Sequence, residues 1–250
     1  MSKELLLNPT DYVGVSFWII SAAMVAATFF FWVERDRAEG KWKTSLTVAA
    51  LVTGIAAIHY FYMREVWVIT GDSPTVFRYV DWLLTVPLQI IEFYLILAAI
   101  AAVAASLFWR LLIASVVMLV AGYLGEVNAA NANFLWIAFI IGVAAWLYII
   151  YEVFAGEASK INADKGTPGS QRAFHALRVI VTVGWAIYPL GYLYGYMGSG
   201  DVQALNIIYN LADFVNKIAF GVVIWVAATS DDAKAKPCLL YTSPSPRDRG

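Results

Sequence analysis

The sequence predicts an all-α membrane protein, a bundle of seven transmembrane helices, and three observations carry that reading. Hydrophobic residues make up 61% of the 250 and charged residues 14%, against roughly 45–50% and 25% in soluble domains. Seven long apolar runs follow one another, each close to the ~20 residues that cross a bilayer core. Lys and Arg are distributed unevenly over the connections, with eleven on one side and three on the other, as the positive-inside rule requires of a polytopic protein. Mean hydropathy is +0.68, which a water-facing surface would not tolerate. The formal net charge of −1 and the lack of a long basic run give no reason to expect nucleic acid.

Residues 1–11 form a short segment before the first span. Their only apolar run, Leu5–Leu7, is too short for the core of a cleavable signal peptide, so the first span is expected to direct its own insertion. The seven runs are Tyr12–Val33, Thr44–Met63, Phe77–Leu97, Leu107–Val127, Asn133–Phe154, Ala173–Tyr194 and Ala204–Thr229. Together they define a domain over 12–229. Ala98–Ala105 is apolar throughout, so the break between the third and fourth runs rests on Arg110 nearby. Between the second and third runs, Glu65–Phe77 has two apolar stretches around Gly71-Asp-Ser-Pro74. That pattern predicts a short β-hairpin.

The eleven basic residues are Arg35, Arg37, Lys41, Lys43, Arg110, Lys160, Lys165, Arg172, Arg178, Lys234 and Lys236, against Lys3, Arg64 and Arg78 opposite. The N-terminus is therefore expected outside and the C-terminus in the cytoplasm. Residues 230–237 follow as a cytoplasmic segment. From Cys238, the run Cys-Leu-Leu-Tyr-Thr-Ser-Pro-Ser-Pro-Arg-Asp resembles the translation of a sequencing-library adapter, and 238–250 is expected to be an artefact rather than natural chain. Cys238 is the single cysteine, so the rest of the chain offers no disulfide, thiolate metal site or cysteine nucleophile.

Once the connections and the ends of the runs are assigned, four ionisable residues remain within the membrane: Asp81, Glu92, Asp213 and Lys217. Each costs about 2.5–3.5 kcal/mol at a bilayer centre even on the lenient insertion scale, so each is a functional candidate. Lys217 and Asp213 stand at i and i−4, on one helix face. A plain buried ion pair would account for them, but a desolvated lysine is also what condensation with a carbonyl requires. In the third run Arg78, Asp81, Thr85, Gln89 and Glu92 share one stripe at steps of three and four. Asp81 and Glu92 are about 16 Å apart along a helix axis. One carboxyl thus lies towards each membrane face, which suits a proton path; a polar stripe lining a crevice is the other reading. His59, alone in the second run, suits either hydrogen-bonded packing or a titrating role.

These residues resemble the microbial rhodopsins, the proteorhodopsins above all. Arg78-Tyr-Val-Asp-Trp-Leu-Leu-Thr-Val-Pro-Leu-Gln-Ile-Ile-Glu92 is similar to their third helix. Gly184-Trp-Ala-Ile-Tyr-Pro-Leu-Gly-Tyr192 is similar to their sixth and Leu211-Ala-Asp-Phe-Val-Asn-Lys217 to their seventh. The likeness runs from Tyr12 to Ala228. It implies that Lys217 carries all-trans retinal as a protonated Schiff base with Asp81 and Asp213 as counter-ions. Asp81 would accept the proton and Glu92, starting neutral, would return one from the cytoplasmic side, with Thr85 completing the family's proton-pump triplet. One cation at Lys217, two carboxylates and Arg78 sum to zero, so such a cluster can be buried without a large uncompensated charge.

The resemblance further implies that His59 hydrogen-bonds Asp81, and that Trp82, Trp136, Trp185, Tyr188 and Tyr192 wall the retinal pocket. Gln89 marks blue-absorbing members, where Leu marks green-absorbing ones. The expected activity is a light-driven outward proton pump in a bacterial inner membrane, moving protons across the lipid bilayer as a pentamer or hexamer. No nucleotide-binding loop of the Gly-rich Lys-Ser/Thr type is present. A retinal photosensor with a slow photocycle is the alternative, and a retinal-free transporter or receptor a third class. For proton release the connections offer only Glu126 and Asp201, and the sequence does not choose between them.

Overall fold

The computed structural model describes residues 6–197 and 200–235. Among the described residues, seven helical segments are long and apolar enough to cross a membrane: Tyr12–Arg37, Lys41–Thr70, Thr75–Ile100, Ala105–Val127, Ala132–Lys165, Pro168–Tyr196 and Val202–Ser230. The helices within them are α1 (Tyr12–Glu34), α2 (Lys41–Thr70), α3 (Thr75–Ile100), α4 (Ala105–Val127), α5 (Ala132–Phe154), α6 (Glu157–Lys165), α7 (Pro168–Val179), α8 (Ile187–Tyr192) and α9 (Val202–Ala235). Wide π turns at Ile180–Gly184 and Leu193–Met197 flank α8. Consecutive spans run antiparallel, so the turn at 71–74 and the end of α4 lie at one end of the bundle, and the start of α4 at the other.

Starts and stops follow ordinary capping chemistry. The Asp11 carboxylate accepts from Gly14 N–H at 2.9 Å and from the Trp67 indole at 3.1 Å, which caps α1 and ties it to the end of α2. Asn131 and Thr167 cap α5 and α7, with Pro168 at the first helical position. The helices pack closely where side chains are small: a Cβ on Gly54 would lie 3.3 Å from the Thr28 methyl, and one on Gly142 3.3 Å from the Met118 carbonyl. Small residues at contacts let helix backbones approach in lipid, where no hydrophobic force drives association. Large apolar side chains such as Trp109, Ile113, Ile137 and Leu147 are exposed and face the acyl chains.

The stretch 65–77 contains no hairpin. Helix α2 continues through Val66-Trp-Val-Ile69 to Thr70, Gly71 ends it in the left-handed region at φ +71°, and Gly71 N–H donates to Trp67 O at 2.8 Å. Helix α3 starts at Thr75. The β-branched run favours a strand locally, but Trp67 and Met63 are buried against α1, and that packing extends the helix. The third and fourth spans break at 101–104, well before Arg110. The expected adapter run 238–250 lies outside the described residues.

Candidate functional site

The site is built from the faces that α3 and α9 turn towards each other. Helix α3 brings Arg78, Asp81, Thr85, Gln89 and Glu92 along one buried stripe, and α9 brings Asp213 and Lys217, also buried. The Lys217 ammonium lies between two carboxylates. Its Nζ is 3.0 Å from Asp213 Oδ2 and in direct ion-pair contact with Asp81 Oδ2.

The two carboxylates are held very differently. Asp213 also accepts from Tyr60 at 2.8 Å, Tyr188 at 2.6 Å and the Trp82 indole at 3.1 Å. Asp81 has only Lys217 on Oδ2, while its Oδ1 has no hydrogen-bond partner among the described residues. A carboxylate accepting several hydrogen bonds is stabilised in its charged form, whereas a sparsely bonded buried one is free to take a proton. Thr85 donates to the Asp81 backbone carbonyl at 3.0 Å rather than to its carboxylate.

His59 does not make the expected hydrogen bond. Its Nδ1 is 3.9 Å from Asp81 Oδ1, beyond bonding reach, and lies 2.9 Å from Ile55 O on its own helix. The backbone carbonyl one turn back takes the ring nitrogen instead, and the sequence pattern gives no sign of it. Arg78 makes no salt bridge to either aspartate; it donates to Asn210 at 3.0 Å and Asn206 at 2.8 Å, between the rings of Phe17 and Tyr209. Both asparagines escaped the sequence reading, although they precede Asp213 on its own helix.

Glu92 stands alone. Ser45 of α2 lies beside it, but neither carboxyl oxygen has a hydrogen bond of normal geometry among the described residues. Gln89, between Glu92 and the lysine, donates weakly to Asn216 O at 3.4 Å.

From Lys217 a cavity runs between α3, α4, α5, α8 and α9. Trp82, Gln89, Trp185, Tyr188 and Tyr192 line it, together with Met118, Gly122, Phe139, Gly142 and Trp146, which the motifs do not mark. Trp136 does not line it. It is 49% exposed, whereas its neighbour Leu135 is buried at 3%. One residue is about 100° of helix, so Trp136 turns to lipid, and Phe139, Gly142 and Trp146 carry the inward face of α5.

Polar groups gather at the lysine end and the walls elsewhere are largely aromatic and aliphatic. Such a site suits a long apolar molecule with one carbonyl, which a desolvated amine can capture as a Schiff base; retinal fits that description. The π turn at Ile180–Gly184 helps shape the wall. Trp185 N–H reaches back to Ile180 O at 3.0 Å, and the Trp146 indole donates to Val181 O at 2.9 Å, which ties two cavity tryptophans to the widened turn.

Residues 11–231 match the family model for bacteriorhodopsin-like proteins. The chain is 58% identical to a green-light absorbing proteorhodopsin of Gamma-proteobacterium EBAC31A08, over 92% of this chain and 91% of that one. It is 57% identical, over the same shares, to a blue-light absorbing proteorhodopsin of Gamma-proteobacterium Hot 75m4. Among solved structures it is similar to the blue light-absorbing proteorhodopsin from Med12, with a TM-score of 0.77 and 56% identity, covering 88% of this chain and 100% of that one.

Proposed function

Since the chain belongs to the bacteriorhodopsin-like family, we propose that it is a light-driven outward proton pump carrying all-trans retinal on Lys217. The observation that carries this reading is the lysine at the end of the cavity, paired with one well-bonded and one sparsely bonded carboxylate. Retinal bound at Nζ supplies a light-driven change of geometry at that nitrogen. Asp213, fixed by Tyr60, Tyr188 and Trp82, keeps its charge and holds the site together. Asp81, with a free oxygen, takes the proton from Nζ. Glu92, in an apolar half of the bundle, returns one to Nζ from the other side, with Gln89 between them on the same helix. Arg78 balances the charge, while Trp82, Trp185, Tyr188 and Tyr192 hold the chromophore and keep water from it. Trp146 and Phe139 take the wall position that the sequence assigned to Trp136.

Gln89 lies at the lysine end of the cavity. Excitation moves positive charge away from that end, so a polar group there favours the ground state and widens the gap. This supports blue absorption. Green- and blue-absorbing relatives are about equally similar over the 92% of the chain that they match, so this one position carries the colour reading. We place the protein in a bacterial plasma membrane, N-terminus outside, as a pentamer or hexamer. His59, one-fifth exposed, would then lie near the bundle's outer surface, where a neighbouring protomer can reach it.

The test is light-induced pH change in cells expressing the protein and given all-trans retinal. External acidification that a protonophore abolishes is expected. A pigment that forms but moves no protons would refute pumping and support a photosensor; Lys217→Ala that keeps its colour would refute the attachment site.

A further inference from the structure

Asn216 stands next to the lysine, is buried, and has no part in the proton movements above. What it holds follows from the break in the sixth span. Pro189 has no N–H, so the Trp185 carbonyl, one turn back, lacks its usual helical donor. Tyr188 N–H moves over to serve it, at 3.1 Å. Gly184 O, which Tyr188 would ordinarily satisfy, is then left without a donor from its own helix, at the end of the π turn Ile180–Gly184. A bare carbonyl inside a bilayer is costly. Asn216 supplies the donor from α9: its Nδ2 lies 3.0 Å from Gly184 O. A Cβ on Gly184 would collide with Asn216 Oδ1, so the glycine is what lets the amide in.

The same side chain reaches the site. Asn216 follows Asp213 by three residues, on the same helix face. Its Nδ2 is also 3.4 Å from the Tyr188 hydroxyl, which donates to Asp213 at 2.6 Å. Its backbone carbonyl accepts from Gln89. One residue thus joins the break in the sixth span, the tyrosine that fixes Asp213, and the peptide that carries Lys217. A helix already broken at a proline and a π turn can exchange hydrogen bonds locally without unwinding.

We propose that Asn216 is a positioning residue, a strap that passes movement at Lys217 to the break in the sixth span and resets Tyr188 on Asp213 afterwards. This rests on retinal being carried by Lys217, and not on pumping. The strap is closed in the resting site. It opens at Gly184 O when the Lys217 backbone shifts, and the site resets when it closes. Asp81 is not on the strap, so the first proton transfer does not depend on it.

Gly184-Trp185 is the only Gly-Trp pair in the sequence. Glycine labelled at the carbonyl and tryptophan labelled at the amide nitrogen therefore mark this one peptide group for solid-state NMR. In the retinal-free chain, Asn216→Leu should already shift the Gly184 carbonyl signal. In wild-type pigment that signal should move between the dark state and pigment frozen under illumination, and the movement should vanish in Asn216→Leu. Flash photolysis of Asn216→Leu should show the resting pigment recovering about 10-fold more slowly, the fold-change that one ordinary hydrogen bond corresponds to. Transfer from Nζ to Asp81 should keep its rate. Pro189→Ala restores the missing N–H, so Tyr188 can return to Gly184 O, and in that background Asn216→Leu should slow recovery no further. A Gly184 signal identical in light and dark, or equal slowing in both backgrounds, would overturn the strap. So would lower thermal stability with unchanged recovery, which is what a purely structural plug would give. If Asn216→Leu forms no pigment, Asn216→Ala decides it by the same readouts. A wild-type pigment that moves no protons would sink the pump reading while recovery and the Gly184 signal still decide the strap; one that pumps with a silent Gly184 would sink the strap alone.

Discussion

The unequal bonding of the two carboxylates predicts that Asp213→Asn destabilises the bundle much more than Asp81→Asn does. Each substitution leaves Lys217 with one carboxylate, and at 3.0 Å with an effective dielectric of 20 either pairing has a Coulomb energy of about 5–6 kcal/mol before desolvation. That part of the change is therefore similar for both. The difference comes from Tyr60, Tyr188 and the Trp82 indole, all of which donate to Asp213. A hydrogen bond to a charged group contributes about 1.5–3 kcal/mol and one between neutral groups about 0.5–1.5. Replacing the carboxylate by an amide weakens two of these bonds by roughly 1 kcal/mol each and leaves the third donor unpaired, at about 1–3 kcal/mol more. Asp81 has no such donors. Asp213→Asn should therefore be about 3 kcal/mol less stable than Asp81→Asn, by reversible unfolding in mixed micelles with and without retinal. Equal stabilities, or Asp81→Asn the weaker, would refute the claim that these three donors make Asp213 the structural anion.

Other substitutions separate the remaining roles. Asp81→Asn should keep pigment but stop pumping and shift absorption to the red, since the Nζ cation loses one of its two anions; the spectrum and the pH electrode read both. Gln89→Leu should also shift absorption to the red. Glu92→Gln should slow return of the proton to Nζ by about 100-fold in flash photolysis, with colour unchanged. Trp136→Phe should change stability by less than about 0.5 kcal/mol and leave the spectrum alone, whereas Trp146→Phe should move the spectrum and lose its bond to Val181 O, at about 0.5–1.5 kcal/mol. Gly125→Ala would bring a Cβ into collision with the Tyr192 hydroxyl, costing about 1–3 kcal/mol by overpacking, measurable as a lower bleaching temperature.

The seven spans were legible from composition and length, because a bilayer enforces both in a way that no other role demands of a chain. The helix faces that carry charge were legible too: buried ionisable groups are costly enough that Asp81, Glu92, Asp213 and Lys217 stand out against their apolar neighbours, and helical spacing puts them on shared stripes. What spacing cannot give is the bonding of each group, because partners come from other helices at distances the sequence does not encode. Only the tertiary structure showed that Asp213 is held by Tyr60 from α2 and Tyr188 from α8 while Asp81 is not. It turned Arg78 to two asparagines and His59 to its own helix, and packing against α1 carried α2 through a run with strand propensity. It faced Trp136 to lipid and Trp146 inward, a choice between neighbouring helix faces that an evenly apolar span leaves open. Glu126 passed for a connection residue because it is near the end of its run, yet it is buried and accepts from Tyr79. Its burial follows from how α4 sits against Tyr79 and Tyr192, and packing between helices alone decides that.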